Sequence, residues 1–216
     1  MTLIYLLRHA HSEANGAGIL AGRSPGVALS QIGQRQALEI SRRLSNENFN
    51  AIYHSPIERC RQTVIPLSRQ LGKRLRSIDE FIEMDYGAWT GRSLKELAKE
   101  RLWREIKRRP SQVRFPDGES FVGAQRRIVR GLNLISQRHP KGHVLIVSHG
   151  DIIKLAIQET LAGELDKFQR IIVDPASLSV INWQERTVIS VNKSLVTGRS
   201  KPGLRARRAL GGGSNV

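Results

Sequence analysis

The chain contains one cysteine, Cys60, among 216 residues. A lone thiol excludes an internal disulfide framework and a thiolate zinc site. Long apolar runs are also missing. No stretch approaches the roughly 18 apolar residues that a membrane-crossing helix needs. The apolar run at residues 3–7 is too short for a secretory leader, and Arg8 and His9 close it. A soluble, cytoplasmic protein is the expectation. No internal repeat is visible. Acidic residues are scarce: 19 Asp and Glu stand against 35 Lys and Arg, for a net charge of +16. Among the bases, 26 are Arg and 9 are Lys. Arg grips phosphate with a planar fork, so the imbalance points to a phosphate-bearing partner: nucleic acid, an anionic membrane surface or a phosphorylated metabolite. Otherwise the composition is that of a globular protein, neither disordered nor fibrous. The length suits one domain, or one domain with an insertion.

Strand-like and helix-like segments alternate along the chain. Residues 3–7 and 144–147 read as buried strands, and residues 51–53 as a third. Residues 75–78 suit an edge strand. Residues 171–173, 178–182 and 187–191 read as closing strands, the last two as a hairpin. Residues 9–28 read as a long loop. Ser30 looks like the cap of a helix carrying Ile32, Ala37, Ile40 and Leu44. Ser55-Pro56 reads as the cap and first turn of another helix, ended by Gly72, with Pro66 predicting a kink. Residues 93–108 look helical, 110–118 form a loop, and helices are expected near 119–138 and 151–161. This order predicts an α/β fold: a mostly parallel central sheet flanked by helices on both faces. Residues 196–216 have few large apolar groups and read as a disordered basic tail.

In open α/β sheets, functional groups gather beyond the carboxyl ends of the strands. One strand end delivers Arg8-His9-Ala10-His11-Ser12, and another delivers Ser148-His149-Gly150. With Arg59, near the start of a helix, two Arg and two His would converge on one pocket. Glu83 lies in the polar turn before Tyr86-Gly87, where Asp79, Glu80 and Asp85 compete with it as the acid. These groups suit phosphoryl transfer. Neutral imidazole, with an ordinary pKa of about 6.5, is a competent nucleophile near neutrality. Two Arg hold phosphoryl oxygens by charge-assisted bonds. A second His can bond the equatorial oxygens in the transition state. A carboxylic acid of raised pKa can protonate the leaving alkoxide. No metal is then required. A four-imidazole metal site from His9, His11, His54 and His149 is disfavoured, because two arginines beside it would repel a cation.

Arg8-His9-Ala10 with Ser12 resembles the Arg-His-Gly-x-Ser/Thr signature of the histidine phosphatase superfamily, which includes the phosphoglycerate mutases. Further segments are similar to that family's motifs: Asn15; Leu29-Ser30-x-x-Gly33-x-x-Gln36-Ala37; Ser55-Pro56-x-x-Arg59-Cys60-x-Gln62-Thr63; residues 83–91; Asp117-Gly118-Glu119-Ser120; and Ser148-His149-Gly150. They follow in order from residue 3 to about residue 155. The resemblance implies that His9 is the phosphorylated nucleophile. It implies that Arg8, Arg59 and His149 bind the phosphoryl group, with Ser12 and Asn15 assisting, and that Glu83 is the general acid and later the base. It also implies a single domain over residues 1–195, with a helical lid insertion at about 84–140. Three departures stand out. Ala10 replaces the usual Gly, His54 stands where relatives often have Ser or Thr, and the loop at 21–27 lacks an Asp often found in relatives. His11 and His54 are read as flanking residues, Cys60 as a buried small hydrophobe, and Trp89 and Trp103 as packing or lid residues.

The expected function is metal-independent hydrolysis of a small phosphomonoester through phosphohistidine. The expected partner is a small phosphorylated metabolite, with no cofactor. The alternative is a phosphoglycerate mutase, which would use 2,3-bisphosphoglycerate. The 65 residues between Glu83 and His149 look short for a mutase of that kind and favour the phosphatase. A rival from another class is a basic nucleic-acid-binding protein that keeps only the fold. The oligomeric state stays open, with a homodimer among the options. The charge itself divides: residues 95–114 carry +5 and residues 193–216 carry +6. The pocket therefore accounts for little of the basicity.

Overall fold

The computed structural model describes residues 1–197. Six strands form one sheet: β1 (Leu3–Arg8), β2 (Ala51–His54), β3 (Leu75–Ser77), β4 (His143–Ser148), β5 (Ser177–Asn182) and β6 (Thr187–Ser194). Their order is β3-β2-β4-β1-β5-β6. The first four are mutually parallel, and β5 and β6 add an antiparallel hairpin beside β1. The sheet is thus mixed and mostly parallel.

Both faces of the central strands are apolar, and helices cover both. Side chains alternate along a strand, so Ile4, Leu6, Val144 and Ile146 face one core while Leu7, Leu145 and Val147 face the other. Helices α6 (Phe121–Arg138) and α7 (Gly150–Thr160) fill the first core with Phe121, Ile128, Leu132, Ile153 and Leu155. Helices α2 (Gln31–Arg43) and α3 (Glu58–Leu71) fill the second with Ala37, Ile40, Val64 and Leu67. As expected, Ser30 caps α2, accepting from the Gly33 amide, and Gly72 closes α3 at φ 62°. Helix α3 runs on past Pro66 to Leu71.

Several local expectations fail for identifiable reasons. The loop expected at 9–28 contains a short helix, α1 (Glu13–Ala17), closed by a reciprocal cap between Ser12 and Asn15. The helix expected at 93–108 divides into α4 (Leu94–Leu97) and α5 (Arg101–Arg108). Between them Glu100 has an extended ψ of 148° and its carboxylate meets Arg92 at 2.6 Å. Residues 171–173 form no strand. Ile171 instead closes a 3-10 turn, its amide donating to the Phe168 carbonyl, and the Val173 carbonyl accepts from Arg8 Nη1. Ser55 does not cap α3. That helix starts later, with Ile57 at its N-cap and no side-chain cap bond.

Residues 84–140 contribute Met84, Tyr86, Trp89, Leu97, Trp103 and Phe115 to the same core cluster as Ile4 and Val144. At the other end, Leu195 and Val196 pack beside Leu178, and the Thr197 amide donates to Glu39. The folded chain thus reaches Thr197. The remainder of the expected basic tail lies outside the described residues. Among the described residues, no helix is long and apolar enough to cross a membrane.

Candidate active site

Three adjacent parallel strands end at the same level. Arg8 at the end of β1 is in register with Ser148 at the end of β4, and His54 of β2 is in register with Val147. The ladder continues one step beyond. The His9 amide donates to the Ser148 carbonyl at 2.9 Å, and the Ser55 amide donates to Val147 at 2.9 Å. His9, His149 and Ser55 therefore emerge side by side. Arg59 joins them from the first turn of α3.

His9 is 3% exposed. Its Nδ1 lies 2.7 Å from the Ala10 carbonyl, which fixes the proton on Nδ1 and leaves Nε2 with a lone pair. Arg59 Nε donates to that Nε2 at 3.3 Å. Burial, then the charges of Arg59 and Arg8, hold the His9 imidazole well below its ordinary value. His9 is consequently neutral with Nε2 forward, the form a nucleophile requires.

Arg59 is almost wholly buried and spreads its donors over the site. Nη2 donates to the Gly22 carbonyl at 2.8 Å and to His149 Nδ1 at 3.2 Å. Nη1 is buried with no hydrogen-bond partner among the described residues. A buried guanidinium nitrogen without an acceptor is costly, and an anionic oxygen beside His9 would satisfy it. Gly22 itself has φ 50°, and a Cβ there would stand 2.8 Å from Thr90 Oγ1, so the carbonyl that holds Arg59 depends on glycine. Thr63 Oγ1 ties the frame together. It accepts from the Ala10 amide and donates to the Arg59 carbonyl.

His149 lies across from His9, with ring centroids 5.3 Å apart. Since Arg59 donates to Nδ1, the His149 proton sits on Nε2 and donates to Ser55 Oγ at 2.8 Å. This is the use to which Ser55 is put instead of a helix cap. Burial and then Arg59 hold His149 well below its ordinary pKa. Cys60 Sγ stands 3.4 Å from His149 Nε2, and burial pushes its thiol up to about 12.

Arg8 is fully buried and donates Nη1 to the Val173 carbonyl at 2.8 Å. The segment expected as a strand thus serves as its acceptor. Glu83 is 3% exposed, with Oε1 accepting from the Met84 amide at 3.0 Å and Oε2 3.6 Å from His149 Nδ1. Burial, then the charge of Asp151, pushes the Glu83 carboxyl up to about 7. Asp151 is itself buried. It accepts from Tyr86 Oη at 2.8 Å and from Lys154 Nζ at 3.2 Å.

The structure thus brings Arg8, His9, Arg59, Glu83 and His149 into one cluster. Ser12 and Asn15 are not hydrogen-bonded to it. Asn15 Oδ1 accepts from the Ser12 amide and hydroxyl, so what Asn15 has left to offer a ligand is its Nδ2. His11 turns to Ser30 Oγ at 2.9 Å, and His54 to the Ser55 carbonyl at 2.7 Å. Sequence reasoning missed Gly22, Tyr86 and Asp151. Tyr86 lies in the family-like segment 83–91 and Gly22 in the loop at 21–27, but neither position, nor Asp151 two beyond His149, carried a role in the sequence. Among the described residues, no group of three or more His, Cys, Asp or Glu is placed to hold a metal ion.

Fold and site together define an α/β enzyme whose chemistry is assembled at the carboxyl edge of a mostly parallel sheet. The profile of the histidine phosphatase superfamily (branch 1) matches residues 4–193, and the chain belongs to that superfamily. Phosphoserine phosphatase 1 of Hydrogenobacter thermophilus is 32% identical over 191 residues, covering 86% of this chain and 89% of the relative. Probable phosphoglycerate mutase GpmB of Yersinia pestis is 27% identical over 187 residues, covering 86% of each chain. Among solved structures, phosphoserine phosphatase from Entamoeba histolytica superposes with a TM-score of 0.80 at 22% identity, covering 90% of this chain and 98% of that one. The chain is therefore an enzyme of the phosphatase kind, with phosphomonoester hydrolysis favoured over mutase chemistry.

Proposed function

We propose that the protein hydrolyses a small phosphomonoester through a phosphohistidine on His9, without a metal. One observation carries this reading: the His9 Nε2 lone pair is aimed beside the unpartnered Arg59 Nη1, with a protonatable Glu83 close to His149. His9 Nε2 attacks phosphorus, and the bond from phosphorus to the ester oxygen breaks. Glu83 gives its proton to that oxygen, so the alcohol leaves neutral. Glu83, now a carboxylate, takes a proton from water. The hydroxide attacks phosphorus, the N–P bond breaks, and inorganic phosphate departs with His9 restored. Arg8 and Arg59 neutralise the equatorial oxygens throughout, the neutral His149 helps to orient them, and Asn15 Nδ2 and Ser12 assist at the rim. With two guanidiniums carrying the charge no metal is needed, and because the substrate phosphorylates His9 and water takes the phosphoryl group, no 2,3-bisphosphoglycerate is needed.

Residues 84–140 act as a lid in this reading. What supports it is the hydrogen bonding of that segment to residues 18–20, the strand of loop that leads to Gly22: Leu94 N to Gly18, Leu20 N to Arg92, and Gly91 N to Leu20. The substrate is a free phosphorylated metabolite met in the cytoplasm rather than a nucleic acid or a membrane lipid. The test is direct. His9→Ala should abolish EDTA-resistant phosphatase activity, and acid-sparing mass spectrometry of the trapped wild-type protein should find phosphate on His9. Full activity in His9→Ala would refute the mechanism.

A further inference from the structure

Glu83 lies in a stretch, residues 82–86, that has no regular secondary structure. Buried backbone polar groups need partners, and a stretch outside helix and sheet must find them elsewhere. Here two guanidiniums supply them. Arg127 Nη1 donates to the Glu80 carbonyl at 2.8 Å and to the Ile82 carbonyl at 2.9 Å. Arg23 Nε donates to the carbonyl of Glu83 itself at 2.9 Å. Both guanidiniums are gathered by one atom. Glu119 Oε1 accepts from Arg127 Nη2 at 2.8 Å, from Arg23 Nη2 at 3.2 Å and from the Asp85 amide at 2.9 Å. The Glu119 amide donates back to the Asp85 carbonyl at 3.0 Å. Ser120 then caps α6, which carries Arg127 two turns on.

We propose that Glu119 is a positioning residue for general-acid catalysis: through Arg23, Arg127 and the Asp85 amide it fixes the backbone on both sides of Glu83, and so fixes where the Glu83 carboxyl meets the leaving oxygen. The inference rests on the reading of Glu83 as the acid. It explains why Arg23, from the loop at 21–27, spans to the acid segment while Gly22, its neighbour, holds Arg59. Nucleophile side and acid side are thereby registered to each other through adjacent residues. Such registration matters because a proton donor displaced by about 1 Å loses much of its effect.

The test compares kcat/KM for p-nitrophenyl phosphate, whose leaving group needs no proton, with that for β-glycerophosphate, whose leaving alkoxide needs one. For Glu119→Ala the expected result is a loss of roughly 10²-fold on β-glycerophosphate and only a few-fold on p-nitrophenyl phosphate, within the range of general-acid effects. Should Glu119→Ala fail to fold, Glu119→Gln and the half-exposed Arg23→Met are expected to give the same selective loss in smaller measure. A merely structural role lowers both substrates alike, so equal loss, or none in a folded variant, overturns the proposal. Glu83→Gln separates the two layers of the argument. If it loses activity selectively on β-glycerophosphate while Glu119→Ala does not, only the positioning role falls. If Glu83→Gln shows no such selectivity, or the wild type turns over neither ester, the reading beneath it falls too.

Discussion

Replacing Glu83 by Gln should change how stability depends on pH. The buried Glu83 carboxyl is pushed up to about 7 from an ordinary carboxylate value of 4.5, by burial first and by Asp151 second. A folded-state pKa above the unfolded one means that the native state holds the proton longer. Stability from this group is complete below the unfolded value and is lost as pH rises through the folded value. The gap of about 2.5 pH units corresponds to about 3 kcal/mol at 1.36 kcal/mol per unit. Gln stays neutral, so wild type should lose about 3 kcal/mol relative to Glu83→Gln between pH 4.5 and 7, and no more above. For a chain of this size that is about 6–12 °C of Tm. Urea unfolding of both proteins at pH 4.5, 6 and 8 measures it. His9 and His149 titrate in both proteins, so their contributions cancel in the difference. A constant offset between the two proteins, whatever its sign, would come from packing. Only the pH-dependent part reports the buried charge, and a pH-independent difference would refute the reasoning.

Three further outcomes follow from the same geometry. The pH profile of kcat/KM on an alkyl phosphate should be bell-shaped, since His9 must be neutral and Glu83 protonated. Activity should fall above pH about 7, and Glu83→Gln should lose that alkaline limb. Gly33→Ala should cost at least about 1–3 kcal/mol in chemical denaturation, because a Cβ there would fall on the His11 carbonyl oxygen; a neutral result would mean that the turn after His9 relaxes freely. Cys60, fully buried with its thiol pushed up to about 12, should resist an aromatic disulfide reagent in the native protein and react on unfolding. Rapid native modification would contradict its placement beside His149.

The site was legible in sequence wherever a residue stood at the end of a strand. Leu3–Arg8 and His143–Ser148 are short, apolar and bounded by polar groups, so their carboxyl ends, and with them Arg8, His9 and His149, could be located from pattern alone. What lay hidden depends on long-range closure. Nothing local tells that Ser55 bonds a histidine 94 positions on, that Val173 offers Arg8 a carbonyl rather than a strand, or that Tyr86 meets Asp151. A Ser-Pro pair carries the same local signal whether it caps a helix or supplies an acceptor. The apolar run at 171–173 satisfied the strand pattern, yet its Val173 carbonyl goes to Arg8, 165 positions away. Asn15 is the converse case. Its spacing from Ser12 is a capping signal as well as a family motif, and in the structure its oxygen is spent on the cap.

The basicity that first pointed to phosphate divides into two physically different populations. Lys95, Lys99, Arg101, Arg104, Lys107, Arg108 and Arg109 are all exposed, and none makes an ion pair among the described residues. Charges in water are screened over about 8 Å at physiological salt, so this exposed charge weakens steeply with distance. Arg8 and Arg59 are almost entirely removed from water, where a charge acts unscreened on whatever lies against it. His9's own burial, and then the charges of Arg59 and Arg8, make it neutral, while Glu83's burial keeps it protonated up to about 7 against the pull of the same two arginines. Burial thus dominates at both residues, and the two buried arginines reinforce it at His9 and oppose it at Glu83. Net charge alone could not pick out the two arginines, among 35 bases, that lie against His9; their burial does.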